Sequence, residues 1–455
     1  MGLVSKTPLP NFFLGREKGA GREVCGLDPR AINPFTKQRG EARNRALCSR
    51  MVKEEAAFLE RICAEPNDDA SRLIFADWLD DRGDPRGQFI RLQIALSRMA
   101  VDAPGREQLQ NRETALLNRH CDKWSAPLRG LACSTEFSRG FIDTVNVESR
   151  VFLSRHAELF RLAPIRNIRF LDVGSSLGKL MNCPELSCLT GITISAQHID
   201  EQLTRALVES PHLGGLTHLH LGRNRIGDRG AERLAWSPRF SNLRELNLSD
   251  NAIGNVGAHA MAESSNLANL ESLELRRNEL SRVGLADLCC TVTLIRLRYL
   301  GLALNYIGAY RELRGSRPVT NLLHVLDLSE NGLMPEGVGM LSELTGLGKL
   351  RRMLLERNEV GNVGATSLAN WSGASTLQSL VLAGNRIGDE GARAIARSSY
   401  LHQLLDLDLS DNPIHDSGAF AFLNSANLSR LKRIGLPHLG LTPQVRRALA
   451  RRYPG

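Results

Sequence analysis

The sequence predicts a curved solenoid of short parallel strands backed by helices, an α/β fold, with a small all-helical module ahead of it. Three observations carry that reading. The segment LRELNLSDN (Leu243 to Asn251) returns as LTHLHLGRN, LESLELRRN, LRYLGLALN, LHVLDLSEN, LRRMLLERN, LQSLVLAGN and LLDLDLSDN. The closing asparagines are Asn224, Asn251, Asn278, Asn305, Asn331, Asn358, Asn385 and Asn412, spaced by 27 residues except for one interval of 26. A period that regular marks stacked repeats. Second, the two central apolar positions of L-x-x-L-x-L-x-x-N lie two apart, so they share one face of a short strand. Third, each asparagine is followed by a segment such as RIGDEGARAIA (Arg386 to Ala396), whose Gly-Asp-x-Gly-Ala reads as a turn and helix start. One strand and one helix per unit, always in that order, force a parallel sheet with helices on its back. Strands sit ~4.8 Å apart and packed helices ~8–10 Å apart, so the stack bends with the strands on the concave side.

The leading segment is read separately. Residues 1–50 hold ten Lys/Arg and four Asp/Glu, a local +6 out of the +9 of the 455-residue chain. The segment shows neither helical nor strand period, so it is expected to be a disordered basic tail, or sequence preceding a true start at Met51. The basicity therefore gives no warrant for a nucleic-acid groove in the body, and polyanion binding is confined to this tail. The nine cysteines include no C-x-x-C pair, which points to reduced thiols rather than a disulfide or zinc framework. No run approaches the ~18 apolar residues of a membrane span, and no export signal is legible. A cytoplasmic location is expected.

From Glu54 the pattern turns helical, with Phe58, Leu59, Ile62 and Cys63 on one face. Pro66 to Asp69 breaks this helix and offers a cap to the next, which carries Leu73, Ile74, Ala76, Trp78 and Leu79. Arg82-Gly83-Asp84-Pro85 ends it, because glycine permits the final turn and proline forbids continuation. Arg82-Gly83-Asp84 also spells an adhesion tripeptide; without an export signal it is read as a helix stop, with Asp84 free to accept backbone hydrogen bonds. A third helix holds Phe89, Ile90, Leu92, Ile94 and Leu96, and residues 106–119 form a further one. Cys121 to Gly130 is a link. Alternation in Gly140 to Val147 predicts a strand that starts the sheet and covers its first edge. A helix follows, placing Phe152, Leu153, Leu159, Phe160 and Leu162 inward. Degenerate units then keep the frame through Ile165, Ile168, Phe170 and Val173, and through Leu189, Ile192, Ile194 and Gln197. At the far end Leu431, Ile434, Leu436 and Leu439 do the same, giving about eleven units. The domains are thus 1–50, the tail; 51–128, the helical module; 129–164, the cap of the solenoid; and 165–455, the repeats.

Two resemblances follow from these residues. FLERICAEPNDDASRLIFADWLDDRGDPRGQFIRLQIAL (Phe58 to Leu96) resembles the repeat-companion domain of planctomycete-type bacteria, a module found attached to repeat arrays. Residues 160–455 resemble the ribonuclease-inhibitor class of leucine-rich repeats, through the unit length and the helix pattern shared by RIGDRGAERLA, AIGNVGAHAMA and RIGDEGARAIA. That implies a leucine-rich-repeat horseshoe that binds proteins. The departures are Leu439 in place of the last asparagine and the short unit after Asn305. There, YIGAYRELRGSRPVTN lacks the Gly-Ala helix start and contains Pro318, so its helix is expected to be short or irregular.

Frame counting gives the concave side chains. Tyr299, Val325, Leu354, Val381 and Ala383 form an apolar strip, rimmed by Arg352, Asp406 and Asp408, the composition of a protein-binding patch. The eight asparagines have a structural role, satisfying backbone groups that no strand ladder reaches. His218 and His220 stand beside Glu245 and Glu274, but two imidazoles without a clear third ligand do not make a metal site. No cofactor is expected. No phosphate-binding G-x-x-x-x-G-K-[ST], no G-x-S-x-G and no H-E-x-x-H is present, so no catalytic constellation emerges. The reading is a non-enzymatic, monomeric interaction scaffold with an unknown protein partner and no membrane association. Regulation of a GTPase or other enzyme, and polyanion binding through the tail, are the alternatives.

Overall fold

Thirteen strands run in chain order through one open sheet of the described residues. The computed structural model describes residues 53–100, 103–309, 323–341, 344, 347–437 and 439–454. The tail, 1–50, and most of the short unit's back, 310–322, lie outside them. The chain divides into two units, residues 1–57 and 58–455. Of the first, residues 53–57 are described and helical.

In the second unit, helix α1 occupies residues 58–64, followed by α2 (Asp69–Asp80), α3 (Arg86–Arg98) and α4 (Arg106–Ser125). Asp68 caps α2, its carboxylate accepting from the backbone of Ala70 at 2.9 Å and Ser71 at 3.0 Å. Gly83, at φ 67°, ends that helix, and Asp84 accepts the Arg86 N–H at 2.9 Å. Ile74 of α2 is 52% exposed; the core of this module is filled from α1 and the other face of α2 by Ile62, Phe75, Ala76 and Leu79, with Ile90 and Ile94 of α3.

The sheet opens with a hairpin. Strand β1 (Ser134–Ser138) pairs antiparallel with β2 (Phe141–Glu148), so β1, not the segment from Gly140, forms the first edge. Sequence reading missed it because its polar residues STEFS carry little periodic signal. The turn between them is Arg139 at φ 50° and Gly140 at φ 88°, the double positive φ of a two-residue hairpin, so Gly140 belongs to the turn and not to the strand. A Cβ on Gly140 would lie 2.1 Å from Ile90 Cγ1. Glycine is therefore required for the hairpin to press on α3, and Phe141 joins the helical core beyond it.

After helix α5 (Ser149–Leu162) the strands are parallel: β3 (Asn167–Leu171), β4 (Gly191–Thr193), β5 (His218–His220), β6 (Glu245–Asn247), β7 (Ser272–Glu274), β8 (Tyr299–Gly301), β9 (Val325–Asp327), β10 (Arg352–Leu354), β11 (Ser379–Val381), β12 (Asp406–Asp408) and β13 (Arg433–Gly435). Behind them lie α6 (Leu177–Met181), α7 (Glu201–Glu209), α8 (Gly227–Trp236), α9 (Asn255–Glu263), α10 (Arg282–Cys289), α11 (Met334–Leu341), α12 (Gly361–Ala369), α13 (Asp389–Arg397), α14 (Asp416–Leu423) and α15 (Pro443–Arg452). This is a leucine-rich-repeat horseshoe. The paired leucines, such as Leu380 and Leu382, are fully buried, as are Ile387, Ala392 and Ile395 of the helical stripe. In the 26-residue unit a 3-10 turn at Ile307–Ala309 is the described start of the back. The last unit corrects the frame: Leu439 is 89% exposed, unlike the buried asparagines whose place it takes. Helix α15 packs on the last described unit through Val445 and Leu449, and the Tyr453 hydroxyl donates to the Phe422 carbonyl at 2.9 Å.

Candidate functional site on the concave sheet

Each strand contributes two side chains to the concave face, and register fixes which of them adjoin. One row runs Tyr299, Val325, Arg352, Ser379, Asp406 and Arg433; the other runs Gly301, Asp327, Leu354, Val381, Asp408 and Gly435. Leu354 and Val381 are thus immediate neighbours, as are Tyr299 and Val325, and all four are half-buried. Ala383 does not extend the strip. It lies past the end of β11 in the turn toward Asn385 and is buried at 7% exposure, with its carbonyl accepting the Arg357 N–H at 2.9 Å.

The rim is polar and partly self-paired. Arg433 Nε donates to Asp406, and that hydrogen bond holds the Asp406 carboxyl below the usual range. Arg352 is exposed. Asp408 accepts the Ser410 N–H at 2.9 Å and its hydroxyl at 2.7 Å. The Tyr299 hydroxyl donates to Glu274 Oε2 at 2.7 Å; burial, then this carboxylate, push the phenol above its ordinary value. A Cβ on Gly301 would lie 2.4 Å from the Glu274 oxygens, so the missing side chain is what lets Glu274 fold over β8. Glu274 and Gly301 were overlooked as a pair. The available signal was a glycine at a concave strand position, which marks a close approach.

The histidines share one carboxylate: His220 Nε2 is 2.9 Å from Glu245 Oε1, and His218 Nε2 is 3.9 Å from Oε2. No group of three or more His, Cys, Asp or Glu side chains is placed to hold a metal among the described residues.

Beneath this face the asparagines form a continuous ladder. All eight are buried. At five of the seven steps Oδ1 of one asparagine accepts the backbone N–H of its counterpart one repeat earlier, as Asn251 to Asn278 at 3.0 Å, Asn331 to Asn358 at 2.9 Å and Asn385 to Asn412 at 2.9 Å. At the other two, Asn251 accepts from the Ile226 N–H at 3.4 Å and Asn305 from that of Leu280 at 3.0 Å. Nδ2 donates to the carbonyl of the second paired leucine of the preceding unit, as from Asn412 to Leu382 at 2.8 Å. Gln197 substitutes in the early degenerate unit, accepting the Val173 N–H at 3.1 Å. The residue before each asparagine is held at positive φ, from Arg223 at 59° to Asp411 at 55°. Such a conformation costs a non-glycine residue about 1–2 kcal/mol, and the ladder maintains it.

With this geometry established, the comparisons fall into place. Residues 216–235, 241–262, 373–396 and 400–423 match the family described as Leucine Rich repeat. The protein is thus one that carries leucine-rich repeats. Among solved structures it is similar to a chain of the mouse RP105/MD-1 complex, at 21% identity and a TM-score of 0.41, covering 68% of this chain and 48% of that one. It thus spans about half the length of that neighbour. A chain of the yeast Rad7 and Elc1 complex is similar at 16% identity and a TM-score of 0.46, covering 88% and 95%. An internalin of Listeria monocytogenes is similar at 19% identity and a TM-score of 0.32, covering 61% and 69%. No curated protein matches the sequence.

Proposed function

We propose that the protein is a non-enzymatic interaction scaffold of the ribonuclease-inhibitor-like kind, which docks a protein partner on the concave face around β8 to β12. The observation that carries this reading is the cluster of half-buried apolar side chains, Tyr299, Val325, Leu354 and Val381, on a sheet face whose other positions are small or charged. Leaving such groups in water forgoes about 25 cal/mol per Å² of apolar area, and the fold has polar alternatives at the same positions in β6, β7 and β12. Within this reading the helices of the repeat-companion-like module and the hairpin act as the cap that shields the first edge of the sheet.

Affinity purification from the native cell with the wild-type chain and with the double variant Leu354→Asp, Val381→Asp tests the reading. Partners held by the wild type should be lost by the variant while its thermal midpoint stays unchanged. Retention of the same partners by the variant rules out the concave patch.

A further inference from the structure

Resting on the concave face as the docking surface, we propose that its partner presents an extended segment of the pattern basic–x–aliphatic–x–basic, laid across β9 to β12. The argument starts from one row of the sheet: Asp327, Leu354, Val381 and Asp408 are consecutive register neighbours. A strand spacing of ~4.8 Å sets the two carboxylates about 14 Å apart. In an extended chain, side chains on one face recur every ~6.6 Å, so residues i and i+4 stand about 13 Å apart, with i+2 midway between them. Two cations at i and i+4 therefore reach Asp327 and Asp408 while an aliphatic residue at i+2 settles between Leu354 and Val381.

The two acids are fixed in place yet still available. Oδ1 of Asp327 accepts the Ser329 N–H at 2.9 Å, and Oδ1 of Asp408 accepts that of Ser410 at the same distance. Each carboxylate is thus oriented by its own turn. Neither forms an ion pair with a basic side chain among the described residues, whereas Asp406 is paired with Arg433 and Glu245 lies against His220. Across β4 to β13 the concave strand positions hold five carboxylates and two arginines, in a chain of net charge +9. Since the 1–50 tail accounts for +6 of that charge, the floor is an acidic patch on a nearly balanced body, and charge complementarity selects a cationic partner segment. Arg298, Arg351 and Lys432 each sit one residue upstream of a strand, at its edge rather than on the floor; an acidic segment would be drawn there instead.

The test uses the full chain and fluorescein-labelled undecapeptides centred on Lys-Ser-Leu-Ser-Lys, on Glu-Ser-Leu-Ser-Glu and on Lys-Ser-Ser-Ser-Lys, measured by anisotropy. The first should bind at least tenfold tighter than the other two. Asp327→Asn with Asp408→Asn should weaken it at least fivefold, as should Leu354→Ser with Val381→Ser. Asparagine retains the Oδ1 acceptor of each turn, and an unchanged thermal midpoint confirms that the variants fold. If the Glu peptide binds as tightly as the Lys peptide and still depends on Leu354 and Val381, the charge pattern is overturned and the docking face survives. If binding is indifferent to all four residues, both fall. Absence of binding by every peptide up to millimolar concentration overturns the extended-segment proposal alone.

Discussion

Two polar relays run along this solenoid, one at the strand ends and one at the helix starts, and they differ in continuity. The asparagine ladder is unbroken from Asn224 to Asn412 in its Nδ2 bonds to the preceding repeat, and it crosses even the short unit, where Asn305 N–H donates to Asn331 Oδ1 at 3.1 Å. The second relay caps a helix with a residue of the preceding repeat, but only in some units. Asp228 Oδ1 accepts from Gly254 at 2.7 Å and Gly257 at 2.9 Å, and Asn255 accepts from Ser281 and Gly284 at 3.0 Å each. There it stops. The corresponding positions hold Arg282, Ala309 and Pro335, none with a side-chain acceptor, and Arg282 is buried with Nε donating to the Ile307 carbonyl at 3.3 Å. The relay resumes at Asn362, which accepts from Gly388 at 2.7 Å and Gly391 at 3.1 Å. The difference teaches which side tolerates variation. A strand end has buried backbone groups on both sides and only one geometry that satisfies them. A helix start exposes its orphan donors near the surface, where other solutions exist.

The largest expected effect comes from breaking the uninterrupted ladder. Asn358 is fully buried, accepts from Asn331 and Leu333 and donates to Leu328 and Glu356. Asn358→Ala should cost about 3 kcal/mol, since it leaves several buried groups unpaired; the urea midpoint measures it. A loss below about 1 kcal/mol would mean that water replaces the ladder.

Breaking the relay by crowding it should cost less. A Cβ on Gly391 would lie 2.7 Å from Ile387 Cγ2 and 2.9 Å from Asn362 Oδ1, so Gly391→Ala should destabilise by about 1–2 kcal/mol. Gly339, in α11 where the relay is absent, has open space around its Cβ position. There, Gly339→Ala should stabilise by about 0.5–1 kcal/mol through helix propensity. Opposite signs in paired thermal melts sharpen the contrast between the two stretches; equal signs would sink it.

The smallest effect at neutral pH, and a pH-dependent one, belongs to Asp389. Its partial burial raises the carboxyl, but hydrogen bonds from the Ser417 hydroxyl and the His415 and Gly418 N–H groups outweigh this and leave it below the ordinary value. A carboxyl depressed in the folded state stabilises above its unfolded pKa, and that contribution is lost as pH falls through the folded one. Asn362 performs the same capping while neutral. Asp389→Asn should therefore match the wild type at pH 7 and lose less stability between pH 5 and 2, read from denaturant midpoints across that range.

Most of the fold could be read in the sequence because packing is periodic. The leucines, the asparagines and the Gly-Ala helix starts follow from a unit that must bury one face of a strand and one stripe of a helix against identical neighbours. The hairpin strand β1 escaped because STEFS is mostly polar, exposed on one face and only half-buried on the other, so its placement depends on Gly140 meeting Ile90 rather than on local pattern. Leu439 escaped for the converse reason: it obeys the frame, yet it stands exposed where the asparagines of the same frame are buried.

The candidate site divides in the same way. By itself the sequence determined which residues occupy concave positions, since alternation within three-residue strands assigns Tyr299, Val325, Leu354 and Val381 to one face. The frame count also ordered them into two rows, and the strand register agrees with that order; what only the tertiary structure decided is how the side chains along each row dispose themselves. That register brings Leu354 beside Val381 and sets Asp327 and Asp408 at either end, seats Glu274 over Gly301, and removes Ala383 from the surface. It also shows that the Asp or Asn after each turn glycine caps the helix of the following unit rather than its own. The backbone donors it satisfies stand 26 to 29 residues downstream, a partnership that reading one unit at a time does not reveal.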